Sequence, residues 1–248
     1  FHGELVVYDH ERGVVVDRRD MGFGPGITVD FSPCGRHLAV GGYSWRGRVV
    51  TLDDHGAVTD VVELPAQSRG VLKSVAFASS TRLLAAAGDG HLLVWDFVGD
   101  HEGGRWVATR AIRGTPHMEL GNGVTSSPDG RVGYIVSRDQ TVRAFELDSG
   151  RELGCGLAHV RGVKAIHASA DGALLATGAY DRTVILWSSD DLSVRLPPVR
   201  GANSGVSGVR VDRGRVFSCS FDGVVNCIDA ATGRTRWTRT SADAAESR

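Results

Sequence analysis

The chain has 248 residues, 42% of them hydrophobic, and a formal net charge of -1 at pH 7. That length holds one large all-β domain or two ordinary domains, and the balanced charge excludes a global pull toward nucleic acid or an anionic membrane. No apolar run approaches the roughly 18 residues of a membrane span, and 33 glycines, about double the usual share of roughly 7%, predict many tight turns.

Residues 1–20 read as two strands, the first closing on Tyr8 and Asp9. Residues 26–66 hold a turn, "FSPCGR", a small-residue strand, "HLAVGGY", a third strand ending at Leu52–Asp53, and a fourth in "AVTDVVEL". Residues 71–112 repeat this with "FASSTR", "LLAAAGD" and "DGHLLVW", ending at Trp95–Asp96. Residues 122–158 follow with "SSPDGR", "VGYIVSRD" and "DQTVRAF", and residues 163–200 with "ASADGA", "LLATGAYD" and "YDRTVILW". Residues 205–240 close the series with "VFSCSFDG", "DGVVNCI" and "RTRWTRT", before a polar tail at 241–248. The end markers Tyr8, Leu52, Trp95, Phe145, Trp187 and Ile228 are 44, 43, 50, 42 and 41 residues apart. A turn aspartate lies six residues before four of them, at Asp89, Asp139, Asp181 and Asp222; His2 and Arg46 stand there in the first two units. Four short strands per unit, with a turn signal every 8–12 residues, predict an all-β repeat fold.

These units resemble the WD-repeat β-propeller family, chiefly through "SPDG" at Ser127–Gly130, "DGHLLVWD" at Asp89–Asp96 and "YDRTVILW" at Tyr180–Trp187. The resemblance covers essentially residues 1–240. It implies one β-propeller domain over 1–248, with five full four-stranded antiparallel blades and a two-strand partial blade at 1–20. That makes about 22 strands and no helix of three turns. The chain opens on Phe1 inside a blade, which predicts the later part of a larger propeller, or a domain cut inside its first blade. Stacked blades bury both faces of their inner strands, which accounts for the unbroken apolar run after Asp181. Val184 and Leu186 then face one neighbouring blade, Ile185 and Trp187 the other. The resemblance further implies a structural tetrad of His159, Thr177, Asp181 and Trp187, with Asp222 and Ser218 as a partial copy. A catalytic His159–Asp181 pair is the weaker reading, because no nucleophile is placed beside it.

No other chemistry is evident. The nine histidines show no metal-ligand spacing, "GVSGV" misses a nucleophile elbow by one residue, and "GFGPG" reads as a flexible inter-blade loop. No catalytic residue, metal or cofactor is expected. Cys34, Cys155, Cys219 and Cys227 also lack metal spacing. With Asp222-Gly223 as a two-residue turn, Cys227 faces Ser218 rather than Cys219, so the cysteines read as free thiols of a reducing, cytoplasmic compartment.

The resemblance implies a non-enzymatic protein–protein interaction scaffold, a module of a larger signalling or assembly protein. One competing signal exists: "DAATGRTRW" at Asp229–Trp237 is similar to quinoprotein-type propellers, which would imply an extracytoplasmic cofactor-binding enzyme or assembly factor. In propellers the loops joining second to third strands share a rim with the inter-blade loops. On that rim "GGYSWRGRV" carries two extra residues, at about Trp45 and Arg46, and "RGTPHMELGNG" is a long inter-blade loop containing His117. Arg69, Arg138, Arg161, Arg182 and Arg200 complete a candidate partner-binding rim suited to an acidic peptide. The plainer alternative has Trp45 packing on Tyr43. No nucleic acid and no membrane insertion is expected.

Overall fold

The computed structural model describes residues 3–22, 24–99, 104–114, 120–200, 202–240 and 243. Among them are 22 strands and no helix, so none is long and apolar enough to cross a membrane. The chain divides into two compact units, Phe1–His117 and Met118–Arg248.

In the first unit, β1 (Glu4–Asp9) and β2 (Val14–Asp20) form a two-stranded sheet. A four-stranded sheet follows in the order β3 (Gly26–Phe31), β4 (His37–Gly42), β5 (Ser44–Leu52) and β6 (Val58–Glu63). The next comprises β7 (Leu72–Ser79), β8 (Arg82–Ala87), β9 (Leu92–Val98) and β10 (Arg105–Ile112). The second unit has three four-stranded sheets. The first is β11 (Gly121–Ser126), β12 (Val132–Ser137), β13 (Thr141–Glu146) and β14 (Glu152–Leu157). The next is β15 (Val163–Ala168), β16 (Leu174–Ala179), β17 (Thr183–Ser188) and β18 (Val199–Arg200). The last is β19 (Val206–Asp212), β20 (Arg215–Ser220), β21 (Val225–Asp229) and β22 (Thr235–Arg239). Every sheet is an antiparallel meander of the kind that forms a propeller blade, and the chain is all-β: five sheets have four strands and one has two.

Local chemistry shapes these strands. In "SPDG" the Ser127 hydroxyl donates to Asp129 at 2.5 Å and accepts the Val132 N–H at 3.0 Å, while Gly130 takes φ 69°. Ser169, Asp171 and Gly172 repeat the device. The side chain thus ties off the first hairpin of these two blades, as short polar residues do in turns. Conversely, β18 shrinks to two residues because Pro197 and Pro198 precede it and offer no N–H to the ladder.

The core lies between stacked sheets. Ile185 and Trp187 pack with Val136, Ala144 and Ile166, whereas Val184 and Leu186 pack with Val206, Val211 and Ile228. One strand thereby serves two interfaces, and each aliphatic side chain so buried contributes roughly 1.5–3 kcal/mol.

Two register expectations need correction. Cys227 pairs opposite Phe217, and Cys219 opposite Val225. The hairpin closes on Ser220 N–H to Val224 C=O at 3.0 Å, with Gly223 at φ 77°. The turn is the three-residue loop 221–223, not the dipeptide Asp222-Gly223, and the odd loop shifts the register by one. All four cysteines are free thiols. Second, the extra residues at Trp45 and Arg46 do not lengthen the loop. Gly42 pairs with Ser44 and Val40 with Arg48, so Trp45, Arg46 and Gly47 bulge opposite Gly41 within β5.

Candidate interaction rim

The tetrad positions converge at the β16–β17 hairpin. Trp187 Nε1 donates to Thr177 Oγ1 at 2.8 Å. The same hydroxyl lies 2.7 Å from His159 Nε2, and His159 Nδ1 lies 2.9 Å from Asp181 Oδ2. With its proton on Nδ1 facing the carboxylate, the imidazole accepts the Thr177 hydroxyl at Nε2. Asp181 also accepts the Val160 and Thr183 N–H groups, each at 3.0 Å. Arg182 in the same turn adopts φ 72°. Burial lowers the His159 pKa, partly offset by Asp181. Burial also raises that of Asp181, but the Thr183 hydroxyl and His159 outweigh it and hold the carboxyl below its ordinary value. The His159 side chain is wholly shielded from solvent, so the pair has no access to a substrate. Thr183 was not anticipated: its hydroxyl donates to Asp181 at 2.6 Å and sits 3.2 Å from His159.

The other turn aspartates hold their hairpins with different partners. Asp139 accepts the Thr141 N–H and hydroxyl at 3.0 and 2.6 Å. Asp89 accepts the Ser68 hydroxyl at 2.6 Å, so a serine from the preceding loop stands where His159 stands in the tetrad. Ala85, opposite Leu93, occupies the place that Thr177 holds opposite Ile185, and Trp95 Nε1 donates instead to the Pro65 carbonyl at 2.8 Å. Asp222 accepts the Asn203 N–H at 2.9 Å and the hydroxyl of Ser220, not of Ser218.

In the second unit these turns stand side by side. A Cβ on Gly162 would lie 3.2 Å from Arg138 Cα, which packs the 159–162 loop flat against the β12–β13 turn. Gly162 C=O accepts the Tyr180 N–H at 3.1 Å. Tyr180 stacks on Phe221 with ring centroids 5.9 Å apart and planes at 12°. Both rings are exposed, at 41% and 57%. Arg200 pairs opposite Thr183, next to Arg182. Arg138, Arg161, Arg182 and Arg200 are all exposed, while the neighbouring Asp139, Asp181 and Asp222 are occupied by their turns. The aromatic pair left no trace in the sequence, because its members belong to successive blades.

In the first unit, Arg69 is exposed in the loop before β7. The Arg46 guanidinium lies 4.7 Å above the Trp45 ring and 3.2 Å from Glu63. Trp45 is 42% exposed. Tyr43 instead faces Lys73, whose Nζ is 5.6 Å from its ring. His117 falls outside the described residues.

A repeated four-stranded blade with a buried His–Thr–Asp–Trp network defines a repeat-built propeller protein. The family described as WD domain, G-beta repeat matches residues 46–96 and 151–188. Striatin-4 of Homo sapiens is 27% identical over 128 residues, 51% of this chain and 16% of that protein. Telomerase protein component 1 of Mus musculus is 27% identical over 171 residues, 67% of this chain and 6% of its own length. BEACH domain-containing protein B of Arabidopsis thaliana is 28% identical over 99 residues, 38% of this chain and 4% of its own. The chain thus spans only a small part of the curated relatives it matches. Over residues 46–96 and 151–188 it is similar to WD-repeat proteins.

Proposed function

We propose that the protein is a non-enzymatic interaction scaffold, a module of a signalling or assembly protein in the cytoplasm, and that its rim takes an acidic peptide. The observation behind this is the charge pattern of the second unit. Arg138, Arg161, Arg182 and Arg200 project to solvent, whereas the aspartates among them are committed to turn N–H groups and hydroxyls. An acidic chain meets uncancelled positive charge there, and Tyr180 with Phe221 offers an adjoining apolar anchor of the type enriched in binding hot spots. The tetrad fixes the loop that carries Arg161 and leaves partner contact to the rim. Free thiols at all four cysteines favour a reducing compartment.

The test is fluorescence anisotropy with a labelled peptide of alternating glutamate and leucine, a lysine-leucine peptide and a single-stranded oligonucleotide. The acidic peptide should bind, and the triple variant Arg138→Glu/Arg161→Glu/Arg182→Glu should weaken it by about ten-fold or more at unchanged melting temperature. Equal binding by the variant, or preference for the basic peptide or the oligonucleotide, overturns the reading.

A further inference from the structure

The outer strand of the β15–β18 sheet is interrupted. Trp187 faces Val194 and Val184 faces Val199, so the outer segment carries two residues more than β17 over the same stretch. Pro197 and Pro198 lie in that stretch and have no N–H to give to the ladder. The chain therefore leaves β17 after the Arg195 N–H donates to the Leu186 C=O at 2.9 Å. Leu196 turns toward the next sheet and packs on the cluster that holds Leu174 and Val211. A Cβ on Gly233 would lie 3.5 Å from Leu196 Cδ1, so Leu196 rests close to the β21–β22 turn.

A groove of about 500 Å³ opens beside this bulge, within the range of roughly 300–1,000 Å³ of sites that hold a small ligand. It lies where β15 turns into β16 and β19 into β20, away from the hairpins of Asp181 and Asp222. Leu174, Leu196, Val211 and Ala230 give it apolar walls, and its charged lining is Asp171, Arg195 and Asp229. Both carboxylates are engaged. Asp171 accepts the Ser169 hydroxyl at 2.5 Å and the Ala173 N–H at 3.1 Å. Asp229 accepts the Arg236 Nε–H and the Ala231 N–H, each at 3.1 Å, and the Thr232 N–H at 3.0 Å. The Arg195 guanidinium has no hydrogen bond or ion pair among the described residues. The Ser169 hydroxyl does most to hold the Asp171 carboxyl below its ordinary pKa, and the Arg195 charge adds to this without forming an ion pair.

The cleft at the same end of the preceding pair of sheets has a different character. It is about 200 Å³, and Asp190 and Asp191 line it with no cation. Leu192, 5% exposed, is folded into the core there, whereas Leu196 leaves its groove open.

We infer that the groove beside Arg195 is a second interaction surface, separate from the arginine rim, and that it takes an extended peptide segment in which a leucine stands next to an aspartate or glutamate. The leucine enters between Leu174, Val211 and Ala230, and the carboxylate meets the unused donors of Arg195, whose planar fork matches it. A basic segment would leave Arg195 facing a like charge, and a wholly polar one would leave the apolar walls wet.

The probe is the peptide Ser-Gly-Leu-Asp-Leu-Gly-Ser, titrated to millimolar concentration into residues 1–248 while the protein methyl groups are followed by NMR. One control peptide carries lysine in place of the aspartate, and another carries alanine in place of both leucines. The methyl resonances of Leu174, Leu196, Val211 and Ala230 should shift saturably with the first peptide alone. Arg195→Glu should weaken that binding by about ten-fold or more. Ala231→Trp, at an exposed position on the groove wall, should block it. The triple variant Arg138→Glu/Arg161→Glu/Arg182→Glu should bind the peptide as the unaltered protein does, which keeps this result apart from the fate of the rim. Absence of saturable shifts, equal binding of the lysine peptide, unchanged affinity in Arg195→Glu or Ala231→Trp, or shifts confined to Tyr180 and Phe221 would each overturn the inference. So would self-association that Arg195→Glu abolishes, since a second copy would then occupy the groove.

Discussion

His159 Nδ1 lies 2.9 Å from Asp181 Oδ2, joining an inter-blade loop to a hairpin turn across 22 residues of sequence. The carboxylate simultaneously accepts the Val160 N–H from that loop. One charged group thereby reinforces a junction whose backbones also share the Tyr180 N–H to Gly162 C=O hydrogen bond.

Removing the imidazole takes one partner from Asp181 and one from the Thr177 hydroxyl together. His159→Ala should destabilise the protein by about 1–3 kcal/mol, the cost of an unsatisfied buried polar group. Thr177→Val should cost a similar amount, since it leaves Trp187 Nε1 and His159 Nε2 without a partner. Urea denaturation of both variants checks this. A loss below about 0.5 kcal/mol in each would show that the network does not hold the loop.

The same network sets a pH dependence. His159 is held below its ordinary pKa by burial, and His167 is lowered to about 4 by burial and by the Arg210 charge. His167 Nδ1 accepts the Val211 N–H at 3.2 Å and so needs its neutral form. A depressed histidine binds more protons unfolded than folded, so stability rises with pH between the two values. Stability should be full above about pH 6.5, the unfolded value, and decline as the pH falls toward 4. His167→Gln should flatten that slope. A slope unchanged in the variant would assign the acid sensitivity to other groups.

The sequence carried those features that recur by physical necessity. The complete blades bury both faces of the third strand's end, and four of them tie the hairpin before it with an aspartate, so the markers and turn aspartates keep a period that can be counted. The tetrad was legible because its four residue types stand at fixed offsets. Thr183 was not, since a threonine after a turn is an ordinary strand residue. The stack of Tyr180 on Phe221 arises only when two blades meet. Cys227 was placed one residue out because a two-residue and a three-residue hairpin differ by a single hydrogen-bond closure, and composition does not distinguish them at Phe221–Gly223. The β5 bulge reads as loop in the sequence for a related reason: the repeat locates an insertion of known size, but not whether the ladder absorbs it.

The close approach of adjacent blades in the second unit yields a sterically specific prediction. A Cβ on Gly178 of β16 would lie 2.4 Å from Val206 Cγ1 and 2.9 Å from its Cβ. Gly178→Ala should therefore force β19 away and cost about 1–3 kcal/mol, as overpacking does. Gly154→Ala in β14 is the control, because its nearest neighbour would be Leu192 Cδ1 at 3.7 Å, an ordinary contact. It should be neutral or slightly stabilising. Equal melting temperatures for the two variants would refute the tight packing of β16 on β19.

The last prediction separates stability from binding at the β5 bulge. Trp45 is 42% exposed and capped by Arg46, whose ion pair with Glu63 is open to solvent on both sides. An exposed pair of this kind contributes roughly 0–1 kcal/mol, and neither side chain belongs to a buried cluster. Trp45→Ala/Arg46→Ala should thus change folding stability by less than about 1 kcal/mol. If this surface takes part in recognition, the same double variant should weaken capture of a binding partner by about 2 kcal/mol or more, the scale of a tryptophan–arginine hot spot. The informative comparison sets it beside the charge-reversed Arg138, Arg161 and Arg182 variant, with melting temperature and affinity measured on both. Loss of affinity in the arginine variant alone would confine the contact to the second unit and leave Trp45 as an exposed side chain that stiffens the bulge. Loss in both would extend the contact to the β4–β5 hairpin. Normal binding by the double alanine variant, or a large drop in its stability, would remove Trp45 and Arg46 from the interaction surface.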